Sequence, residues 1–125
     1  MNSFDFQKAR QFLLQKEQKR KQILENRYAD ALNDFNVIVN HIIKNYNPLR
    51  IYQWGSLLTK DHFSEISDID IGLEGIDSIE DMFKIYGDVL DISSFKVDIV
   101  QMEKIEPEFA DIIKEKGKIV YERKD

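Results

Sequence analysis

The apolar residues of this 125-residue sequence change their spacing at Pro48. From residue 23 to residue 46 they recur every three or four positions, which predicts an amphipathic helix that packs on a core. Asn47 and Pro48 follow as a turn and a helix breaker. After Pro48, short stretches with strand-type alternation are interleaved with helical stretches, which indicates a domain that combines helices with a sheet.

The segments after Pro48 predict four strands and two helices. Strands are predicted at residues 49–54, 69–73, 95–102 and 118–122, and helices at residues 78–90 and 107–116. Ser78, with Asp81 three residues later, fits a helix start, and Gly117 fits a helix end. The first of these helices carries an apolar stripe of Ile79, Met82, Phe83, Tyr86, Val89 and Leu90. The predicted fold class is therefore α+β (α/β), a small mixed β-sheet packed by helices, with a long N-terminal helical segment.

The N-terminal segment has a different character from the rest of the chain. Residues 3–22 are predicted to be helical, but residues 15–22 are wholly polar and their charges are mostly basic, so that part contacts no core. We divide the chain into an N-terminal helical extension, residues 1–22, and a domain, residues 23–125. The extension is interpreted as a docking element, because it also carries the apolar residues Phe4, Phe6, Phe12, Leu13 and Leu14. The alternatives are a solvated basic face and packing of Phe12 and Leu13 on the domain's own sheet.

Charge and composition exclude several classes of protein. Residues 61–83 contain eight acidic residues and no lysine or arginine, which argues against direct nucleic-acid binding and suits a divalent metal. The absence of cysteine excludes disulfides, thiolate nucleophiles and zinc–thiolate sites. No apolar run has the length of a membrane helix, and the N-terminus lacks a signal-peptide pattern. We therefore expect a cytoplasmic protein without a membrane partner.

Three features carry the chemistry of the sequence. Gly55 and Ser56 end the first predicted strand, where a close backbone approach and a hydroxyl suit a phosphate. Asp68 and Asp70 share one face of a strand, as two ligands of Mg²⁺ would. Asp98 stands in an apolar strand, where aspartate is rare. If its strand lies beside the Asp68–Asp70 strand, three like charges converge, and a cation would offset their repulsion.

Each feature also has an ordinary structural explanation. Ser56 could serve only as the cap of a helix that begins at Leu57. Asp68 and Asp70 could form the solvated face of a half-buried strand, and Asp98 could face solvent on an edge strand. Taken singly, none of the three features decides between these explanations and a metal-dependent site.

The combination resembles the nucleotidyltransferases of the DNA polymerase beta superfamily. The residues that carry the resemblance are Trp-Gly-Ser at 54–56, Ser-Asp-Ile-Asp-Ile at 67–71 and Val-Asp-Ile-Val at 97–100. The small size and the C-terminal KIVYER are similar to those of the minimal nucleotidyltransferase (MNT) family, antitoxin-type. The resemblance covers about residues 24–123 and implies the nucleotidyltransferase fold.

The resemblance implies a role for each matched residue. Gly55 and Ser56 would bind the nucleotide phosphates. Asp68 and Asp70 would hold Mg²⁺, and Asp98 would complete the metal site and help to activate the acceptor hydroxyl. These three aspartates are the predicted catalytic and metal-binding residues.

The chain departs from the family pattern near the serine. Eleven residues, 57–67, separate the serine from the first aspartate, one more than in antitoxin-type members. Leu57 and Leu58 stand where many members carry a basic residue, and Lys60 is the predicted replacement as a nucleotide-binding residue.

The function implied by the resemblance is transfer of AMP from ATP, with Mg²⁺ as cofactor, to a tyrosine hydroxyl of a HEPN-type toxin partner. The chain would then act as the antitoxin. Two alternatives stay open: a non-catalytic antitoxin with a vestigial site, and a small-molecule nucleotidyltransferase of the aminoglycoside-modifying kind. The nucleotide, the acceptor and any self-association are not determined by the sequence.

Overall fold

The chain begins with one helix of 41 residues, α1 (Phe6–Tyr46), in the computed structural model, which describes residues 5–124. Asp5 caps its start, because the Asp5 side chain accepts a hydrogen bond from the backbone N–H of Lys8 at 3.1 Å. The predicted N-terminal and amphipathic helices are therefore continuous. Residue 3, the predicted helix start, and Phe4 lie outside the described residues.

The two halves of α1 differ in burial. Its fully buried residues all lie in the C-terminal half: Ala31, Phe35, Ile38, Val39 and Ile42. In the N-terminal half, Phe12 and Leu13 are exposed, so they do not pack on the sheet of their own chain. The N-terminal half of α1 thus extends beyond the core. Within residues 5–124, no helix is apolar over the length that a bilayer crossing requires.

Four strands form one mixed sheet in the order β3-β2-β1-β4. The antiparallel partners of β1 are β2 and β4, whereas β2 and β3 run parallel. The bounds are β1 Arg50–Trp54, β2 Ile69–Glu74, β3 Val97–Gln101 and β4 Lys118–Glu122. Two helices connect the strands, α2 (Ile79–Ile92) from β2 to β3 and α3 (Pro107–Lys116) from β3 to β4. The predicted α+β class with a mixed sheet is confirmed.

Helices cover both faces of the sheet. Ile69 and Ile71 of β2 are fully buried in a cluster that also contains the buried residues of α1 and α2. On the opposite face, Ala110 and Ile113 of α3 pack with Tyr52 of β1. Because side chains alternate along a strand, Asp70 lies on the α3 face of the sheet.

The start of α2 is as predicted, but its apolar stripe is divided. The Ser78 hydroxyl accepts a hydrogen bond from the backbone N–H of Asp81 at 3.1 Å. Met82 and Val89 of the predicted stripe are buried, whereas Phe83 is exposed, as are Ile79, Tyr86 and Leu90. The difference has a physical reason: the apolar arc of this helix is wider than the contact that one helix makes with the sheet.

Candidate active site

Two neighbouring strands, β2 and β3, bring the predicted carboxylates together at one end of the sheet. Asp70 of β2 is the register partner of Asp98 in parallel β3 and of Trp54 in antiparallel β1. Side chains of register partners project from the same face, so Asp70 and Asp98 are neighbours on the α3 face. Asp68, two residues before Asp70, lies just before the start of β2. The parallel pairing of β2 and β3 confirms that the Asp98 strand lies beside the Asp68–Asp70 strand.

Gly55 closes over the Asp70 carboxylate. A Cβ atom built on Gly55 would lie 2.2 Å from Asp70 Oδ2, and the φ angle of Gly55 is +78°. Both observations require glycine at this position, because any other residue would clash and would be strained at that φ. The structure therefore places the backbone of the Gly55-Ser56 turn directly against the carboxylate cluster.

The carboxylate cluster is electrostatically strained. The pKa of Asp70 is raised from 3.8 to about 6, first by burial and then by the negative charges of Asp98 and Asp68. The charge of Lys96 lowers the pKa of Asp70, and Lys96 Nζ lies 3.8 Å from Asp68 Oδ2. A single exposed lysine does not offset the mutual repulsion of the three acids.

The donor set fits a hard divalent cation such as Mg²⁺. It consists of carboxylate oxygens, which Mg²⁺ prefers, and the raised pKa of Asp70 marks negative charge that a cation would offset. Within residues 5–124, no three ligating side chains are already drawn close enough to hold an ion between them. Asp68, Asp70 and Asp98 are therefore the residues that would hold the cation, although their side chains are not drawn around one point.

The turn that carries Ser56 is anchored from two sides. Gly55–Leu58 forms a short 3₁₀ helix, and Leu57 within it is fully buried. The Leu57 carbonyl accepts hydrogen bonds from the Tyr28 hydroxyl of α1 at 3.3 Å and from the Gln53 amide of β1 at 3.4 Å. The position of Leu57 thus has a structural reason, since its side chain fixes the turn rather than contacting a phosphate.

Lys60, the predicted phosphate contact, lies elsewhere. Its Nζ is 3.0 Å from Glu25 Oε1 on α1. Because α1 covers the sheet face opposite to Asp70, this ion pair holds the lysine away from the carboxylates. The structure brings together Gly55, Ser56 and the three aspartates but does not bring Lys60 to them.

Sequence reasoning missed a cleft beside Gly55. It has a volume of about 610 Å³, and its lining includes Trp54, His62, Lys116 and Lys118. The Trp54 ring packs edge-on against Phe109 of α3, with 5.3 Å between ring centroids. Among the described residues, nothing accepts a hydrogen bond from its buried indole N–H. Lys118 reaches the cleft because β4 pairs with β1, and Lys116 ends α3 two residues earlier. No local motif marks that pairing, so only the topology reveals this basic pair.

His41 joins α1 to α2. Its Nε2 lies 2.7 Å from Asp88 Oδ2, and the Tyr46 hydroxyl donates to the same oxygen at 2.7 Å. This network lowers the pKa of Asp88, through the hydrogen bond from His41 first. It lies on the α1–α2 side of the molecule, away from Asp70.

The sequence model of the "Polymerase beta, Nucleotidyltransferase" family matches residues 36–125, which include the whole sheet and all three aspartates. The chain belongs to this family. As a member, it is a nucleotidyltransferase with the mixed α+β fold that its sequence predicts. No curated protein sequence matches that of this nucleotidyltransferase.

Two solved structures resemble the fold of this nucleotidyltransferase. The first is a mutant of the toxin–antitoxin MntA–HpeT, with a TM-score of 0.57 and 20% identity, covering 71% of this chain and 72% of that chain. The second is a toxin–antitoxin with AMP-PNP, with a TM-score of 0.56 and 18% identity, covering 70% of this chain and 73% of that chain. At this level of identity, the likeness establishes the shared fold.

Proposed function

We propose that this chain is an Mg²⁺-dependent adenylyltransferase that transfers AMP from ATP to a tyrosine hydroxyl of a HEPN-type toxin, and so acts as the antitoxin. The observation that carries the proposal is the Asp70 carboxylate. It is half-buried beneath Gly55, it neighbours Asp98 on the adjacent strand, and its pKa is raised to about 6. A fold with no cation to bind gains nothing from this repulsion.

The proposed reaction is a displacement at the α-phosphorus of ATP. The acceptor oxygen forms a bond to that phosphorus, the bond to the oxygen bridging to the β-phosphate breaks, and pyrophosphate leaves. Asp98, the most exposed of the three acids, takes the proton of the acceptor hydroxyl. Mg²⁺ held by Asp68, Asp70 and Asp98 would neutralise phosphate charge and lower the pKa of the attacking hydroxyl. Gly55 and Ser56 orient the phosphates through the backbone N–H groups and the serine hydroxyl.

The cleft beside Gly55 supports nucleotide binding. Lys116 and Lys118 line it and can neutralise phosphate charge, a role that Lys60 cannot fill while it is paired with Glu25. Trp54 and Phe109 give the same cleft an aromatic wall. We assign the ATP to this cleft, with its α-phosphate directed toward Asp70.

Two points support a protein as the acceptor. The solved structures with the same fold are toxin–antitoxin assemblies, one of them with an ATP analogue. The carboxylates are also open on the acceptor side, since Asp98 is exposed at the edge strand β3. A second macromolecule can therefore bring its own hydroxyl to this edge.

The test is a transfer assay on the co-expressed pair. The chain is produced with and without a HEPN-type toxin, incubated with labelled ATP and Mg²⁺, and both proteins are analysed by intact-mass spectrometry. We expect the toxin to gain one or more AMP groups on tyrosine, and the gain to be lost in the double variant Asp68→Asn, Asp70→Asn. Asp77→Asn, an exposed acid outside the cluster, is the matched control and retains transfer. Transfer to a small-molecule alcohol, with no protein labelled, would contradict the proposed acceptor.

A non-catalytic antitoxin is the second candidate, and one observation favours it. Within the described part of the chain, the three aspartates are not yet arranged around a single ion position. In that case the chain would neutralise the toxin by occlusion alone. The double variant separates the two functions. If the parent chain transfers no AMP and the double variant still neutralises the toxin fully, occlusion is established.

A further inference from the structure

Helix α2 has a second apolar face that the domain does not cover. Met82, Ile85 and Val89 bury one face against the core. Phe83 and Leu90, seven residues apart and therefore aligned, are 74% and 79% exposed, and Ile79 beside them is 65% exposed. We call Ile79, Phe83 and Leu90 the α2 stripe. Aligned, exposed apolar side chains of this size mark an interaction surface.

The α2 stripe faces away from α1 of its own chain. Asp88 contacts His41 and Tyr46 of α1, and Ser93 contacts Asp34. At 3.6 residues per turn, Phe83 and Leu90 lie on the side of α2 roughly opposite to Asp88. Helix α1 of the same chain therefore lies on the other side of α2 and cannot cover the stripe.

The N-terminal half of α1 is complementary to the α2 stripe in polarity and charge. Residues 5–22 contain six basic and two acidic side chains, and Phe12 and Leu13 among them are 65% and 63% exposed. Residues 77–92, around the stripe, contain five acidic side chains and one lysine. An apolar, basic helix and an apolar, acidic helix attract each other and bury each other's exposed residues.

Length and direction also match between the two surfaces. At 1.5 Å per residue, the helical residues 6–22 span about 26 Å and the 14 residues of α2 span about 21 Å. The contacts Asp34–Ser93 and His41–Asp88 show that α1 and α2 run antiparallel. The N-terminal half of α1 therefore continues past the C-terminal end of α2, where its own α2 cannot reach it but a second molecule can.

We propose that the chain forms a two-fold dimer in which the N-terminal half of α1 of each copy packs along the α2 stripe of the other. A two-fold axis that makes the two α1 helices antiparallel produces this contact twice, because each copy presents both surfaces. The occupant of the stripe is thus a second copy of this chain. The inference is independent of the proposed AMP transfer, since it uses neither Asp70 nor the cleft.

The first test measures mass in solution. Light scattering after size exclusion should give twice the 14.8 kDa chain mass for the parent protein and the monomer mass for the variant Phe83→Ser, Leu90→Ser. The matched control is Ile119→Ser, because Ile119 is 51% exposed and lies on β4, outside both surfaces. The control stays dimeric, and circular dichroism checks that every variant is folded. A parent chain that is monomeric over a wide concentration range, or that associates only with a separate toxin, overturns the proposal.

The second test exchanges the charges. Lys16→Glu with Lys19→Glu makes the α1 surface acidic, and Asp77→Lys with Asp91→Lys makes the α2 surface basic. Each double variant alone should be monomeric, because like charges then face each other. Mixing the two variants, or combining all four changes in one chain, should restore the dimer mass. A dimer that survives in both double variants, or one that neither mixing nor combination restores, overturns the arrangement.

Discussion

Replacing Asp70 by asparagine should stabilise the metal-free fold. Asp70 is half-buried beside two other carboxylates, and its pKa is raised from 3.8 to about 6 by burial first, then by Asp98 and Asp68. Asparagine has nearly the same shape and no charge. The variant therefore keeps the packing under Gly55 and removes the repulsion.

The size of the expected stabilisation follows from the pKa of Asp70. Between the unfolded value of 3.8 and the folded value of about 6, the folded state holds more protons, so stability falls as the pH rises through this range. A shift of this size corresponds to roughly 3 kcal/mol at 1.36 kcal/mol per pH unit. Solvent screening of a half-exposed group reduces it, and we use about 1 kcal/mol. For a domain of this size, that is a rise in Tm of about 4 °C at pH 7.5.

Thermal unfolding in EDTA between pH 4 and pH 8 measures the effect. The Asp70→Asn variant and the parent should have nearly equal Tm values at pH 4, where Asp70 is mostly protonated, and should diverge as the pH rises to about 7. Asp77→Asn, an exposed acid, should show no such divergence. A variant that is less stable than the parent at pH 7.5, or a difference that does not change with pH, would refute the reasoning.

Three further predictions use the same thermal assay. ATP with Mg²⁺ should raise the unfolding free energy of the parent by about 2.7 kcal/mol at a hundredfold excess over Kd, and so raise its Tm. The Tm of Asp70→Asn should not change, and an unchanged Tm in the parent contradicts nucleotide binding. Gly55→Ala should destabilise the fold by more than 1 kcal/mol and abolish the ATP-dependent rise in Tm, because its Cβ would lie 2.2 Å from Asp70 Oδ2. The control Gly87→Ala, with open space around it in α2, should stabilise the fold by about 0.5–1 kcal/mol. Deleting residues 2–22 should leave a cooperatively folded, ATP-binding domain, since the fully buried residues of α1 begin at Ala31; a chain that no longer folds would show that the segment belongs to the core.

The periodicity of the sequence was sufficient to predict the helices and strands. The bounds of α3 and β4 agree with the predicted segments, and Ser78 caps α2 as expected. These features depend on neighbours within a few residues, so the local sequence contains the information. The division of the apolar residues of α2 between a buried face and an exposed face was not predictable in the same way. A helix with apolar residues on two sides does not specify which side the sheet covers, and the packing of α2 decides it.

The candidate site, too, is determined partly by the sequence and partly by the tertiary structure. The residue types Gly55, Ser56, Asp68, Asp70 and Asp98 and their spacing are present in the sequence, because the chemistry of a phosphate and a cation demands them. The tertiary structure alone decided that Asp70 faces Asp98 across parallel strands, that Glu25 holds Lys60 away, and that strand pairing brings Lys118 beside Gly55. The physical reason is range: periodicity and caps act over a few residues, whereas these contacts join positions that are 28 to 63 residues apart, and only the packed sheet brings them within reach.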